Sequence, residues 1–469
     1  MNITLNSLIN QGAGYNDKHI FEYYVIDRVN NRSPIQRSTF LLSTLPICGV
    51  DLHGNLINRE VVDNPNQRNR QGPDGLQFYD WSFKQVFADA DKSSGSSSSS
   101  GSSNSSNGSS NSSSSIYPIL VRLNFTWEAY TYNPDAFLSE FRYILSLAKE
   151  TGTPLLLDFF LAFTSSTLYS IAGSADITPS NPYRGFGFPS AYTSSYANMA
   201  VEEYYKHKAF WDDFLNNKIK HPTTYRSMWD DFIDFFNLII KEASGGGSSS
   251  SIGSNSNSSS IVWGYEFLNE PFLFTLEHFS LLKEFYTYVY EQIKHKIHST
   301  TWIVWGKPVL FGDARPNYYD PEKWKLYVPS VRERSLVSGH VYADPSNDPK
   351  SEFYKRMRAY TAAASMIPSS SSPALLSTIN KVLITEHNRP LNPDTSTFIT
   401  SEMVNQWVDL YKNTWKVYGV LWHTWGSRIK ETLSYTPNLQ YYDKQTKQRV
   451  ITEHGQKWVE FIQRMRELI

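Results

Sequence analysis

Short apolar runs alternate with longer amphipathic stretches along most of the chain, once its serine-rich tracts are set aside. The clearest run is Ile261–Phe272, IVWGYEFLNEPF. β-Branched and aromatic residues reach Asn269-Glu270-Pro271 and stop. This predicts a buried strand over Ile261–Leu268 with a carboxylic acid at its C-terminal end and a proline that breaks the ladder just after it. Lys381–Glu386, KVLITE, repeats the arrangement and leads into His387-Asn388-Arg389-Pro390. Further strands are predicted at Phe40–Gly49 (the faintest), Tyr117–Phe125, Pro154–Phe160, Thr301–Trp305, Ser335–Tyr342 and Tyr418–Trp425.

Helical stretches fall between them. Pro134–Lys149 carries Phe137, Phe141, Ile144, Leu145 and Leu147 at helical spacing, and Thr151-Gly152 ends it. Others are predicted at Ser82–Ala90, His207–Asn216, Ser227–Glu242, Leu276–His298, Ser351–Ala364, Thr400–Trp415 and Gln456–Leu468. Eight strands with interposed helices predict an α/β chain folded as a (β/α)8 TIM barrel, one domain spanning 1–469.

Two tracts, 91–115 and 243–260, are almost entirely Ser, Gly and Asn. Such composition cannot bury enough apolar surface to offset its ordering entropy, so both are expected to be disordered. Each follows a helix and precedes a strand. They are therefore expected as low-complexity insertions at the face away from the chemistry, where added loop length costs little. The excursion Thr164–Tyr205 is too long for a plain connection and is expected to serve function.

Composition narrows the function classes. A net charge of −1 gives no field for nucleic acid or an anionic membrane. No apolar run is long enough to span a bilayer. The single cysteine, Cys48, allows neither an intrachain disulfide nor a cysteine metal site. His207, His221, His278, His295 and His298 lack zinc-site spacing, so neither metal nor cofactor is expected. The N-terminal stretch has no signal-peptide pattern, which predicts a cytoplasmic location, and a monomer is expected. Aromatic residues make up 15%, with 13 Trp and 30 Tyr, and serve equally as core or as platforms for sugar rings.

The chemistry lies at the strand ends. Glu270 and Glu386 close the fourth and seventh strands, so a parallel barrel brings both to one rim. Glycoside hydrolysis needs such a pair. In a retaining enzyme one carboxyl is protonated and gives its proton to the departing oxygen, while the other is ionised and attacks the sugar. Arg122, at the end of the second strand, is placed to hold an acid ionised. His340 and Tyr342 alternate on the sixth strand and point to one side.

These motifs resemble glycoside hydrolase clan A, family 5. The likeness is carried by Leu268-Asn269-Glu270-Pro271, His340-Val341-Tyr342, Ile384-Thr385-Glu386 and Gly419-Val420-Leu421-Trp422, with Val121-Arg122-Leu123 in support. It implies Glu270 as acid/base and Glu386 as nucleophile. It implies Asn269 on the sugar 2-hydroxyl, Arg122 and Tyr342 on Glu386, and His340 near the acid/base. Trp422 is the implied platform under the sugar in the −1 subsite, with a core aromatic as the alternative for it and Trp425 as second candidate. Trp127 stands as a second platform or an ordinary rim aromatic.

The chain departs from the family pattern in two places. His387-Asn388 stands where Phe-Gly is usual after the nucleophile, and Asp158-Phe159-Phe160 lacks the usual histidine after the third-strand aspartate. Asp51-Leu52-His53-Gly54 together with WGYEFLNEPF is similar to endoglycoceramidase-like and glucosylceramidase-like members. β-Mannanases and β-glucanases match as well. The expected substrate is thus a β-glucan, a β-mannan or a β-glucoside or glycolipid. A non-catalytic carbohydrate-binding barrel and a transglycosylase using the same carboxylates are the alternatives.

Overall fold

The computed structural model describes residues 17–23, 36–42, 47–51, 120–151, 153–160, 203–244, 261–332, 334–368, 379–389, 399–423, 440–443 and 448–466. Eight parallel strands close into a barrel in chain order: β1 (Ile47–Asp51), β2 (Leu120–Phe125), β3 (Leu155–Phe160), β4 (Val262–Asn269), β5 (Trp302–Trp305), β6 (Ser335–Val341), β7 (Asn380–His387) and β8 (Val417–His423). The ring closes where β8 pairs with β1, Trp422 level with Val50 and His423 with Asp51. The chain is a (β/α)8 barrel.

Around it run α1 (Pro134–Thr151), α2 (Glu203–Leu215), α3 (Met228–Ala243), α4 (Glu277–Ile293), α5 (Glu352–Ala364), α6 (Ser401–Asp409) and α7 (Glu453–Arg466). Hydroxyl caps set three helix starts, with Ser227, Ser351 and Thr400 each accepting from an otherwise orphan first-turn N–H. None of the described helices is long and apolar enough to cross a membrane.

Both faces of the strands are covered, which is why they read as near-continuous apolar runs. Alternate residues divide between two clusters. Ile47, Leu120, Leu156, Val304, Leu336 and Leu383 plug the lower interior. Val50, Leu123, Leu157, Trp305, Val337 and Ile384 join the apolar faces of the helices in the outer core. The upper interior is polar, and there Arg122, Asn269, His340 and Glu386 gather.

The faint first strand divides in two. Phe40–Leu42 belongs to Gln36–Leu42, which pairs antiparallel with Asp17–Tyr23, and the barrel strand begins at Ile47. Pro46, which has no N–H for a ladder, stands between them. The expected helix at Ser82–Ala90, the 91–115 tract, most of the 243–260 tract, nearly all of the Thr164–Tyr205 excursion and Trp425 lie outside the described residues. The second tract joins the end of α3 to the N-terminal end of β4, opposite the rim that carries Glu270.

Candidate active site

Two strand-end distortions build the site. Between Asp158 and Phe160 β3 advances two residues while β4 advances three, from Glu266 to Asn269. Between Gly339 and His340 β6 advances one residue while β7 advances two, from Ile384 to Glu386. Each is a β-bulge, the device that re-aims side chains at barrel rims. On β7 strict alternation would send Glu386 outward with Val382 and Ile384, and the extra residue turns it into the barrel. On β4 the left-handed backbone of Leu268 (φ 52°) and Glu270 (φ 49°) accompanies the bulge. That conformation is sparsely populated for residues other than glycine and collects at functional sites.

Arg122 is the hub. Fully buried, it donates from Nε to Glu266 at 2.8 Å, from Nη1 to Glu386 at 2.9 Å and from Nη2 to Asn269 at 2.7 Å. Asp158 lies 3.1 Å and Asp51 3.4 Å from the same guanidinium. Burial opposes the charge, but Asp158, Glu266, Asp51 and Glu386 reverse that and hold it firmly cationic. Burial likewise pushes the Asp158 carboxyl well above its ordinary range, against the pull of Arg122, which favours its protonated form. Opposite, His423 meets Asp51 at 2.5 Å. Burial disfavours its charge, yet the bond to Asp51 and the nearby Glu386 raise the imidazole above its usual range.

Glu386 is held at both oxygens. Oε1 accepts from Arg122, and Oε2 accepts from the Tyr342 hydroxyl at 2.5 Å. His340 Nδ1 stands 3.2 Å from Glu386 Oε2 and 2.8 Å from Glu270 Oε1. The ring thus sits between the two carboxyls, and its N–H belongs on Nδ1, where both neighbours accept. Oxygens of Glu270 and Glu386 and the His340 nitrogen lie within 4.8 Å of one another.

Sequence reasoning missed Lys307. It follows β5, and its ammonium lies 2.9 Å from Glu270 Oε1 with its side chain only 3% exposed. Burial opposes the Glu270 charge, but Lys307 first and His340 second outweigh it, and the carboxyl is lowered to about 2. Lys307 is placed by close contact between β4 and β5. Gly306 N–H donates to Phe267 at 3.2 Å, and Val309 N–H to Pro271 at 2.9 Å. A Cβ on Gly306 would come to 1.9 Å from the Leu268 carbonyl oxygen. Gly306→Ala is therefore expected to cost about 3 kcal/mol, at the upper end for overpacking, and urea unfolding measures it. An unchanged midpoint would show that the two strand ends separate freely.

Of the expected site residues, Glu270, Glu386, Asn269, Arg122, His340 and Tyr342 meet around one centre. The two tryptophans do not. Trp422 is fully buried on the outward side of β8, its ring edge-on to His387 at 4.9 Å and to Trp407 at 6.2 Å. On β8 the inward-facing residues are Leu421 and His423, so Trp422 belongs to the helix-facing set and is core. Trp127, 5% exposed, packs on Phe232 and Phe235 and is also core. His387, the unusual residue after Glu386, is packed among Trp407, Trp422 and Phe461, and burial lowers it to about 3. It is a neutral core histidine. Asp51, Asp158 and Glu266 went unassigned and His423 was expected to be structural, although their alternation with neighbouring apolar residues was a usable signal.

Two sets of donors have metal-like spacing: Asp51, Glu386 and His423, and Glu270, His340 and Glu386. Both include Glu386, and the positive charges of Arg122 and Lys307 already lie against their carboxylates.

No family model matches the chain, and no curated protein matches it. Among solved structures it is similar to Pseudomonas stutzeri endoglucanase Cel5A in complex with cellobiose, at 12% identity over 90% of this chain and 93% of that one, with a TM-score of 0.44. It is similar to the exo-beta-1,4-mannosidase Op5Man5 from Opitutaceae bacterium strain TAV5, at 11% identity over 94% of this chain and 61% of that one, with a TM-score of 0.46. A third is GH5_18 from Bifidobacterium longum subsp. longum ATCC 55813, at 11% identity over 90% and 79%, with a TM-score of 0.43. Likeness at these values says nothing of substrate or reaction, and the barrel stands on its own strand order.

Proposed function

We propose that the chain is a retaining glycoside hydrolase that cleaves β-glycosidic bonds by double displacement. The observation that carries this is the carboxylate spacing. Oxygens of Glu270 and Glu386 lie within 4.8 Å. Retaining enzymes hold their carboxyls about 5–5.5 Å apart, while inverting ones leave roughly 6.5–9.5 Å for a water. Here the gap is too short for an attacking water between sugar and base, but it suits direct attack by a carboxylate.

In the first step Glu270 gives its proton to the leaving oxygen, the bond from C1 to that oxygen breaks, and Glu386 bonds to C1. In the second, water gives a proton to Glu270, its oxygen bonds to C1, and Glu386 departs as carboxylate. Arg122 and Tyr342 hold Glu386 for attack and accept its charge back when it leaves. Asn269 is fixed by Arg122 through its oxygen, and its amide NH2, which has no hydrogen-bond partner among the described residues, suits the sugar 2-hydroxyl. A β-glucan, β-mannan or β-glucoside, including a glycolipid, is the substrate class.

The test is stereochemical. Proton NMR during hydrolysis of an active aryl β-glycoside is expected to show the β-anomer forming first, and a 2-fluoro glycoside is expected to label Glu386. First appearance of the α-anomer would overturn double displacement. Sugar binding without turnover on β-glucan, β-mannan, aryl glycosides and glucosylceramide would favour a non-catalytic barrel. Products grown on an added sugar acceptor would assign the same carboxylates to transglycosylation.

A further inference from the structure

The ion pair at Glu270 is at odds with half of the cycle. A general acid has to carry a proton before the leaving oxygen departs, yet Lys307 and His340 both bear on Glu270 Oε1, at 2.9 Å and 2.8 Å. An ammonium and an imidazole N–H at one oxygen stabilise the carboxylate and oppose its protonation. The second half of the reaction needs the opposite form, a carboxylate ready to take a proton from water. With Oε1 taken, Oε2 is the oxygen without a hydrogen-bond donor among the described residues. Glu270 is 13% exposed at its side chain, whereas Lys307 is 3% exposed and is held by the β4–β5 contact at Gly306.

We propose that Lys307 is a positioning residue for the second half of the reaction, holding the Glu270 carboxylate ionised and aimed as the base that activates water. This rests on the glycosidase reading above. In that step the water proton passes to Glu270 Oε2, the water oxygen bonds to C1, the bond from C1 to Glu386 breaks, and Glu386 takes the electron pair. Lys307 keeps its own protons throughout. Its ammonium favours the base form at the expense of the acid form, so it speeds the second step and slows a first step that needs proton donation.

The charged and titratable groups bearing on Glu270 come from four elements. They are Lys307 after β5, His340 on β6, Glu386 on β7 and, beyond Lys307, Tyr318 with Arg356 of α5 near its ring at 5.6 Å. Among these, removing Lys307 takes away the cation in direct contact with Glu270 and leaves the His340 bond in place.

The experiment compares wild type, Lys307→Met, Lys307→Gln and Lys307→Arg. Dinitrophenyl β-glucoside and β-mannoside serve as probes whose leaving group needs no proton, with the unactivated disaccharides beside them. In Lys307→Met the second step is expected to become limiting for the dinitrophenyl substrate, with kcat falling about tenfold to a hundredfold, KM falling with it, and a burst of dinitrophenol appearing. For the disaccharides, the falling high-pH limb of kcat/KM is expected to move to higher pH, because Glu270 keeps its proton longer once the cation is gone. Lys307→Arg is expected to restore the wild-type profile. Lys307→Gln, which keeps a hydrogen bond and drops the charge, is expected to follow Met and decides the matter if Met does not fold. A variant that loses kcat/KM on all substrates with no burst and an unmoved pH limb would overturn the proposal. Failure of the wild type to form a glycosyl-enzyme at all would instead overturn the glycosidase reading.

Discussion

Glu386→Ala is expected to abolish turnover, with kcat falling by about 10⁴-fold or more, since in the proposed double displacement Glu386 is the nucleophile and no covalent intermediate forms without it. Binding is expected to survive. Arg122 keeps Glu266 and Asp51 as acidic partners, with Asp158 beside it, so losing Glu386 leaves the guanidinium compensated. The affinity for a disaccharide, measured by calorimetry, should change by no more than a few-fold. Azide at high concentration is expected to enter the vacated space and form a glycosyl azide of inverted configuration. Turnover persisting in Glu386→Ala would mean that another of the buried carboxylates attacks, with Asp51 and Glu266 the next to test.

Arg122→Ala is expected to be the most damaging change to stability, at about 3–5 kcal/mol by denaturant unfolding. The site gathers Asp51, Asp158, Glu266 and Glu386 around one buried guanidinium. Removing it leaves buried carboxylates with no compensating charge and Asn269 without its donor. His423, raised by its bond to Asp51, already faces that acid and cannot reach all of them. Arg122→Lys retains a charge but not the fork that reaches Glu266, Glu386 and Asn269 together, so it should recover part of the stability and little of the activity. A stable, soluble Arg122→Ala protein with a wild-type midpoint would show that the surrounding acids protonate at little cost.

Much of the fold was legible in the chain because its signals are local. A strand buried on both faces must be apolar along its length, and its end must bear the residue that breaks the ladder. Those two facts located seven of the barrel strands, and with them Glu270, Glu386, His340 and Tyr342 at their ends; Arg122 was expected at a strand end but stands within β2, followed there by Leu123, Asn124 and Phe125. Only the first strand was misplaced, because Phe40–Leu42 and Ile47–Asp51 form one apolar run in sequence and two strands in space.

Only the tertiary structure decided which face each rim residue takes and what it meets across the barrel. Trp422 is apolar, aromatic and close to a strand end, yet its place beside His423 turns it to the helices. Glu386 would share that outward face but for one extra residue in β7. A bulge depends on how two neighbouring strands match in length, so no single strand announces it. The Lys307–Glu270 and His423–Asp51 pairs depend on register in the same way. The sequence by itself determined which segments are strands and which acids end them, because period and composition are properties of a short window. The structure determined the partners, the charges and the inward or outward turn of each side chain, because those follow from strands far apart in the chain packing at fixed register around a closed barrel.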